Sequence, residues 1–141
     1  MKYFKYDLFL NDDEKEWAKN DAEYSRVFDK IKASLPESFL EIYLAEQAFH
    51  DRKINNIAFK DKNLKIEIVS QIKGFIEVEY KGVTKFSFNT EAFNSSIIQN
   101  VNWGYDEFEK VGDKGFLHSI LTLNGFELQI HFNEISAVYR K

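Results

Sequence analysis

Two histidines and a glutamate near the end of the chain are the residues whose spacing could support metal chemistry. Asn124-Gly125 predicts a two-residue type I′ turn, because both residues readily take positive φ. That turn would set His118 directly opposite His131 on paired strands, with Cβ atoms ~5 Å apart. A four-residue loop before this hairpin would place Glu109 beside His118, which predicts a two-histidine, one-carboxylate site for a divalent cation.

The same register has a simpler interpretation, in which these side chains belong to an exposed polar face of a sheet. Glu127 and Gln129 fall on that face as well, and histidine is as acceptable there as they are. A metal site also needs a second shell of hydrogen bonds, which the sequence does not show. We therefore assign no cofactor or resident metal, and keep a metal-assisted hydrolase using His118, His131 and Glu109 as an alternative.

His50-Asp51 is a second candidate, because it resembles the metal-binding dyad of phosphohydrolases. That chemistry needs further ligands on a helical scaffold, whereas this pair falls between a helix and a β-rich segment. We favour a structural role, with Asp51 accepting turn N–H groups. The chain has no cysteine, no Gly-x-Ser-x-Gly motif and no glycine-rich phosphate loop, so the sequence favours a protein that is not an enzyme.

Aromatic residues make up 16% of the sequence, and most fall at core positions of the predicted elements. Core packing is favoured for each of them. Trp103 and Tyr105 flank polar residues, however, and are our candidates for a binding surface, since Trp and Tyr are enriched in protein interfaces.

Apolar periodicity divides the chain into a mainly helical front, residues 1–50, and a β-hairpin region, residues 51–141. Only one proline and no Gly/Ser-rich linker occur, so we expect a single domain. The predicted fold is α+β: two N-terminal helices packed on an antiparallel sheet of about six to seven strands built from successive hairpins.

Two helices are predicted in the front region, after a short extended arm. The first is capped by Asn11 or Asp12 and carries apolar residues at spacings of three, four and seven. The second begins at a capping box formed by Ser34 and Glu37, and we expect it to end near Ala48.

Alternating apolar residues in the second region predict hairpins whose registers follow from their turns. Ile57 is predicted to pair with Ile66 in the first hairpin. In the next, a three-residue loop is predicted to pair Val78 with Phe86. A short helix beginning at Thr90 and further strands complete the pattern.

Charge and hydropathy argue against several kinds of partner. The net charge is −4 and no basic run exceeds two residues, so we expect no binding to a nucleic-acid backbone. No apolar stretch approaches the ~20 residues that span a bilayer, and the N-terminus lacks the apolar core of a secretory signal. Together with the absence of cysteine, these features predict a cytoplasmic protein without membrane contact.

Three stretches of the sequence resemble segments of one bacterial family. They are the opening Met1-Lys2-Tyr3-Phe4, the run Leu35-Pro36-Glu37-Ser38-Phe39-Leu40 that leads to Phe49-His50-Asp51, and the later segments Tyr105-Asp106-Glu107, His118-Ser119-Ile120 and Glu127-Leu128-Gln129-Ile130. In these stretches the chain resembles the uncharacterised family called domain of unknown function 4085. It is shorter than typical members, and we expect the difference in the helical region. The resemblance implies a bacterial cytosolic protein with a helical front and a β-rich back, and it carries no function.

We favour a small non-enzymatic bacterial protein that binds a protein partner. An ordered acidic domain without catalytic motifs motivates this hypothesis. One alternative is a toxin-neutralising immunity-type protein, by analogy with other small acidic α+β bacterial proteins. The metal-assisted hydrolase is a second alternative, and a ligand-binding module with an aromatic-lined pocket between sheet and helices is a third. The oligomeric state is left open.

Overall fold

A computed structural model describes residues 1–89 and 101–141 of the chain. Within these ranges the fold is α+β, with its helices in the first third and a large antiparallel sheet behind them. The elements are α1 (Tyr6–Leu10), α2 (Glu14–Ile31), α3 (Glu37–Ala45), β1 (Arg52–Lys60), β2 (Asn63–Val69), β3 (Phe75–Lys81), β4 (Lys85–Asn89), β5 (Asn102–Val111), β6 (Gly115–Thr122), β7 (Glu127–Phe132) and β8 (Glu134–Arg140). No helix in the described ranges is long and apolar enough to cross a membrane. The helix predicted from Thr90 lies outside the described residues.

The helical front differs from prediction at its ends. The predicted extended arm is instead helical over α1. α2 is capped by Asp13, one residue later than expected, whose side chain accepts the Glu16 N–H. The predicted capping box is wrong, because Pro36 occupies the N-cap position of α3 and makes no side-chain bond. α3 ends at Ala45, earlier than expected, because the residues that follow adopt left-handed backbone angles.

The sheet has eight strands among the described residues, not six to seven, in the order β4-β7-β6-β5-β1-β2-β3-β8. The chain runs from β3 into β4, and from β7 into β8, through a bend. Each of these two segments therefore supplies two strands. β3 pairs with β8 while β4 pairs with β7, so the two ends of the sheet are connected through the chain.

The bend between β3 and β4 explains why the predicted pairing of Val78 with Phe86 is wrong. Val78 pairs with Ile66 and Ala137 rather than with Phe86, because the chain does not reverse after β3. Phe86 instead pairs with Ile130 on β7. The first hairpin has the predicted register, with Ile57 opposite Ile66.

The hydrophobic core lies where the curled sheet faces itself and where α2 and α3 cover it. Side chains from β2, β3, β6 and β7 meet there; Tyr80 on β3, for example, contacts both His118 and Phe132 across the core. Phe39 and Tyr43 on α3 add their rings to the same cluster. This arrangement brings the middle of β5 close to α2, and the Tyr43 hydroxyl of α3 bonds to Asp106 on the same strand.

Candidate functional site

The predicted pair of histidines does not form. β6 and β7 pair one residue away from the expected register, so His118 lies opposite Ile130 and His131 lies opposite Leu117. Cross-strand partners share a face of the sheet, and the two histidines therefore lie on opposite faces. Glu109 also pairs with Leu117, so it shares a face with His131 and not with His118.

A side-chain bond in the turn accounts for this shift. The Thr122 hydroxyl bonds to the Asn124 side chain and accepts the N–H of Phe126, and the Thr122 N–H donates to the Phe126 carbonyl. These bonds extend the turn to three residues, 123–125, instead of the predicted Asn124-Gly125 pair. In the described part of the chain, no group of three His, Cys, Asp or Glu residues comes together to hold a metal.

His118 instead belongs to a buried row of polar side chains. The Tyr80 hydroxyl lies 2.7 Å from His118 Nδ1, and His118 Nε2 lies 2.5 Å from Asp106 Oδ2. The Tyr43 hydroxyl donates to both Asp106 oxygens, at 3.0 and 2.9 Å. Burial raises the pKa of Tyr80 well above its ordinary value, so its hydroxyl keeps its proton. Both ring nitrogens of His118 therefore have a hydrogen-bond partner, Tyr80 at Nδ1 and Asp106 at Nε2.

A β-bulge in β5 decides which residues of that strand face inward. Pairing with β6 shifts between Trp103 and Tyr105, so Gly104 is the additional residue. A Cβ at Gly104 would lie 2.6 Å from the Leu121 carbonyl oxygen, and no side chain fits there. The bulge changes the alternation, so that Trp103 shares the inner face with Asp106 while Tyr105 turns away from it.

A cavity of about 320 Å³, which we call the α2–α3 cavity, lies between these two helices and the bulged part of β5. Its walls are largely aromatic and its polar groups include two carboxylates and several hydroxyls. The lining residues are Phe4, Asp21, Tyr24, Ser25, Phe28, Tyr43, Leu44, Gln47, Ala48, His50, Gly104, Tyr105 and Asp106. Small-molecule sites usually measure ~300–1,000 Å³, so this cavity is of a size for a small ligand.

The carboxylates give the α2–α3 cavity a negative character. Burial is the main cause that raises the pKa of Tyr43 and of Tyr24, and the negative charge of Asp106 raises both further. The pKa of Tyr105 is raised by burial and by Asp21 and Asp51. These tyrosines therefore stay protonated, so that each hydroxyl can both donate and accept a hydrogen bond.

One wall of the α2–α3 cavity is an unusual left-handed turn. Gln47, Ala48 and Phe49 have φ values of 56°, 55° and 60°, in a region that costs a residue with a side chain ~1–3 kcal/mol. Phe49 is fully buried against Tyr43 and Trp103, which holds the turn in place. Strained backbone of this kind concentrates at functional sites, and this turn presents Gln47 and Ala48 to the cavity.

The turn is held from below by a buried carboxylate. The Glu46 carboxylate accepts hydrogen bonds from the Arg52 guanidinium, the Ser70 hydroxyl and the Gln71 N–H. A fully buried carboxylate is stable only when its oxygens are paired in this way. Glu46 therefore connects the start of the strained turn to the loop after β2.

The chain matches, over residues 4–134, a family described as protein of unknown function (DUF4085). It belongs to this family. The resemblance predicted from the sequence is thus confirmed across nearly the whole chain, and it assigns no function to the DUF4085 fold. A crystal structure of an uncharacterized protein from Neisseria gonorrhoeae aligns with 65% of this chain and 94% of that chain, at 17% identity and a TM-score of 0.47. No curated protein matches the chain.

The other predicted site residues in this DUF4085 member have mixed outcomes. Trp103 is fully buried, so its predicted place on a binding surface is wrong. Tyr105 is partly exposed and lines the α2–α3 cavity, where it contacts Trp17 and His50. His50, from the predicted His50-Asp51 pair, also lines the cavity. Its Nδ1 lies 2.6 Å from the Gly104 carbonyl oxygen.

Sequence reasoning missed Asp106 and Tyr43. Asp106 shares its inward face with Phe108 in the regular part of β5, and the bulge brings Trp103 to that face as well. An unbroken strand would put Trp103 and Tyr105 on one face. The signal available was Gly104 inside a strand pattern, since an isolated glycine there often marks a bulge or a close approach of backbone.

Proposed function

We propose that this protein is a non-enzymatic binding protein whose ligand is a small molecule held in the α2–α3 cavity. The observation that carries the proposal is a concave space with aromatic walls and a hydrogen-bonded carboxylate, Asp106, at its base. Binding sites for small molecules combine a mainly apolar lining with a few oriented polar groups in this way. The strained turn over Gln47–Phe49 supports the same location.

The row formed by Tyr80, His118 and Asp106 supports binding better than catalysis. A general base must come within hydrogen-bond distance of the proton that it removes. His118 is fully buried and both of its ring nitrogens already have partners. Its role in this proposal is to orient the Asp106 carboxylate.

A fragment screen read by two-dimensional NMR would test the proposal. We expect some fragments to shift the amide signals of Tyr24, Gln47 and Tyr105 together, because these residues line the same space. Ser25→Trp should abolish the shifts, since Ser25 is exposed at the cavity and an indole would fill it.

Ser34→Trp is the matched control, because Ser34 is exposed and does not line the α2–α3 cavity. It should leave fragment binding unchanged. If no fragment moves the cavity signals, or if Ser25→Trp retains every binding event, the proposed function is wrong.

A further inference from the structure

The residues that line the α2–α3 cavity carry charge of one sign. Asp21 and Asp106 are acidic, and none of the thirteen lining residues is a lysine or arginine. A ligand that enters this space leaves water and meets two carboxylates without a protein cation between them. An anion would be repelled there, and a cation would be attracted more strongly than in bulk solvent.

Asp106 offers a second and independent argument. It is 5% exposed, and among the described residues its ion-pair partner is His118, which carries a charge only when protonated, and no lysine or arginine. Its hydrogen-bond donors are His118 and Tyr43, the latter a neutral hydroxyl. A buried carboxylate is most stable with a paired charge and with its lone pairs satisfied. Asp106 lines the cavity, and because a carboxylate has about four lone-pair sites, it can accept a donor from a ligand in addition to Tyr43 and His118.

The aromatic walls favour the same class of ligand. Phe4, Tyr24, Phe28 and Tyr105 surround the space, and the faces of such rings attract cations. Tyr43 uses its proton on Asp106, so its oxygen can accept a further N–H. Acceptors beside a carboxylate suit an ammonium group that has hydrogens to donate.

We infer that the ligand of the α2–α3 cavity is a small protonated amine, with its ammonium group bonded to Asp106 and its apolar body between the aromatic walls. This inference rests on the proposed binding function and names the chemistry of its ligand. The size of the cavity limits the ligand to a small molecule.

Three probes of similar size and different charge test the inference: benzylamine, benzyl alcohol and benzoate, titrated near pH 7 and followed by the NMR shifts of the cavity residues. Benzylamine should bind at least ~10-fold more tightly than benzyl alcohol, because a hydrogen bond between charged groups is worth more than a neutral one. Benzoate should not bind. Added salt should weaken the binding of benzylamine and leave the binding of benzyl alcohol unchanged.

Two aspartate variants link the effect to this cavity. Asp21→Asn should weaken the binding of benzylamine several-fold, because it removes one of the two carboxylates of the cavity. Asp21 is exposed, so the substitution should leave the fold intact. Asp29→Asn removes an exposed aspartate from the same helix outside the cavity, and should have no effect. Asp106→Asn, where it folds, should weaken benzylamine more than Asp21→Asn does.

The possible failures are distinguishable. If benzyl alcohol or benzoate enters the cavity as tightly as benzylamine, or if the fragment screen finds cavity ligands and benzylamine is not one of them, the amine inference is wrong and the binding function stands. The inference also fails if Asp21→Asn and Asp29→Asn behave alike. If no fragment occupies the cavity, both proposals fail together.

Discussion

The imidazole of His118 lies nearly flat against the ring of Phe108, with ring centroids 3.8 Å apart and planes inclined by 12°. The two residues are direct partners on β5 and β6. Phe108 covers one face of the imidazole, while Tyr80 and Asp106 engage its two nitrogens. His118 is thereby held in one orientation, and the position of the Asp106 carboxylate follows from it.

Removal of the Tyr80 hydroxyl should destabilise the fold. Tyr80→Phe leaves Nδ1 of His118 buried without a partner, and an unsatisfied buried group costs ~1–3 kcal/mol in the free energy of unfolding. Urea denaturation followed by tryptophan fluorescence measures the loss. Tyr3→Phe is the control, because Tyr3 is half-buried and its hydroxyl has no hydrogen bond within the described residues. Similar small losses for both variants would contradict the buried row.

The stability of the protein should depend on pH through Glu46. Burial alone would raise the pKa of Glu46, but hydrogen bonds from Ser70, Gln71 and Arg52, with the charge of Arg52, outweigh burial and hold that pKa below its ordinary value of 4.5. Because the folded pKa is lower than the unfolded one, the unfolded state binds more protons between the two values. The stabilisation is complete above the unfolded pKa and is lost as pH falls through the folded pKa.

Urea denaturation of the native protein and of Glu46→Gln between pH 7 and about pH 3 tests this dependence. The native protein should be the more stable of the two at pH 7, and the difference should shrink below pH 4.5. Glu41→Gln, at an exposed position of α3, should show no such trend. A difference between native and Glu46→Gln proteins that stays constant over the whole pH range would refute the argument.

Glu107 should hold the N-terminal segment against β5. Its carboxylate accepts the backbone N–H groups of Lys2, Tyr3 and Phe4, and Phe4 lines the α2–α3 cavity. Glu107→Gln replaces one acceptor oxygen with an amide donor, so amide hydrogen exchange at Tyr3 and Phe4 should accelerate ~10-fold or more. Glu109→Gln affects only an exposed pair with Lys2 and should leave exchange unchanged. Equal exchange in both variants would show that Glu107 does not hold this segment.

The bulge at Gly104 should hold Trp103 against the imidazole of His118. Gly104→Ala places a Cβ 2.6 Å from the Leu121 carbonyl oxygen, and we expect ~1–3 kcal/mol of destabilisation with displaced imidazole NMR signals of His118. Gly112→Ala is the comparison, because Gly112 has φ +66° and open space around it. That variant should cost ~1 kcal/mol through backbone strain and leave the His118 signals in place. Unshifted His118 signals in Gly104→Ala would contradict the role of the bulge.

Local pattern was sufficient to predict the register of the first hairpin, β1 and β2. Ile57 and Ile66 pair as predicted, because one register alone puts the apolar residues of both strands on a common face. The Asn124-Gly125 hairpin was shifted by one residue because the Thr122 hydroxyl bonds inside the turn, and a one-residue shift moves every side chain to the other face.

The sequence alone determined the α+β class, the helical front, the family and most of the strands, since these depend on periodicity and on contacts between neighbours in the chain. The tertiary structure decided that β4 leaves β3 for β7, that Trp103 turns inward and that Asp106 meets Tyr43 and His118. The physical reason is that a bent strand and a hairpin have the same apolar alternation, and only the distant partner that satisfies the backbone hydrogen bonds distinguishes them. The α2–α3 cavity depends on these long-range pairings.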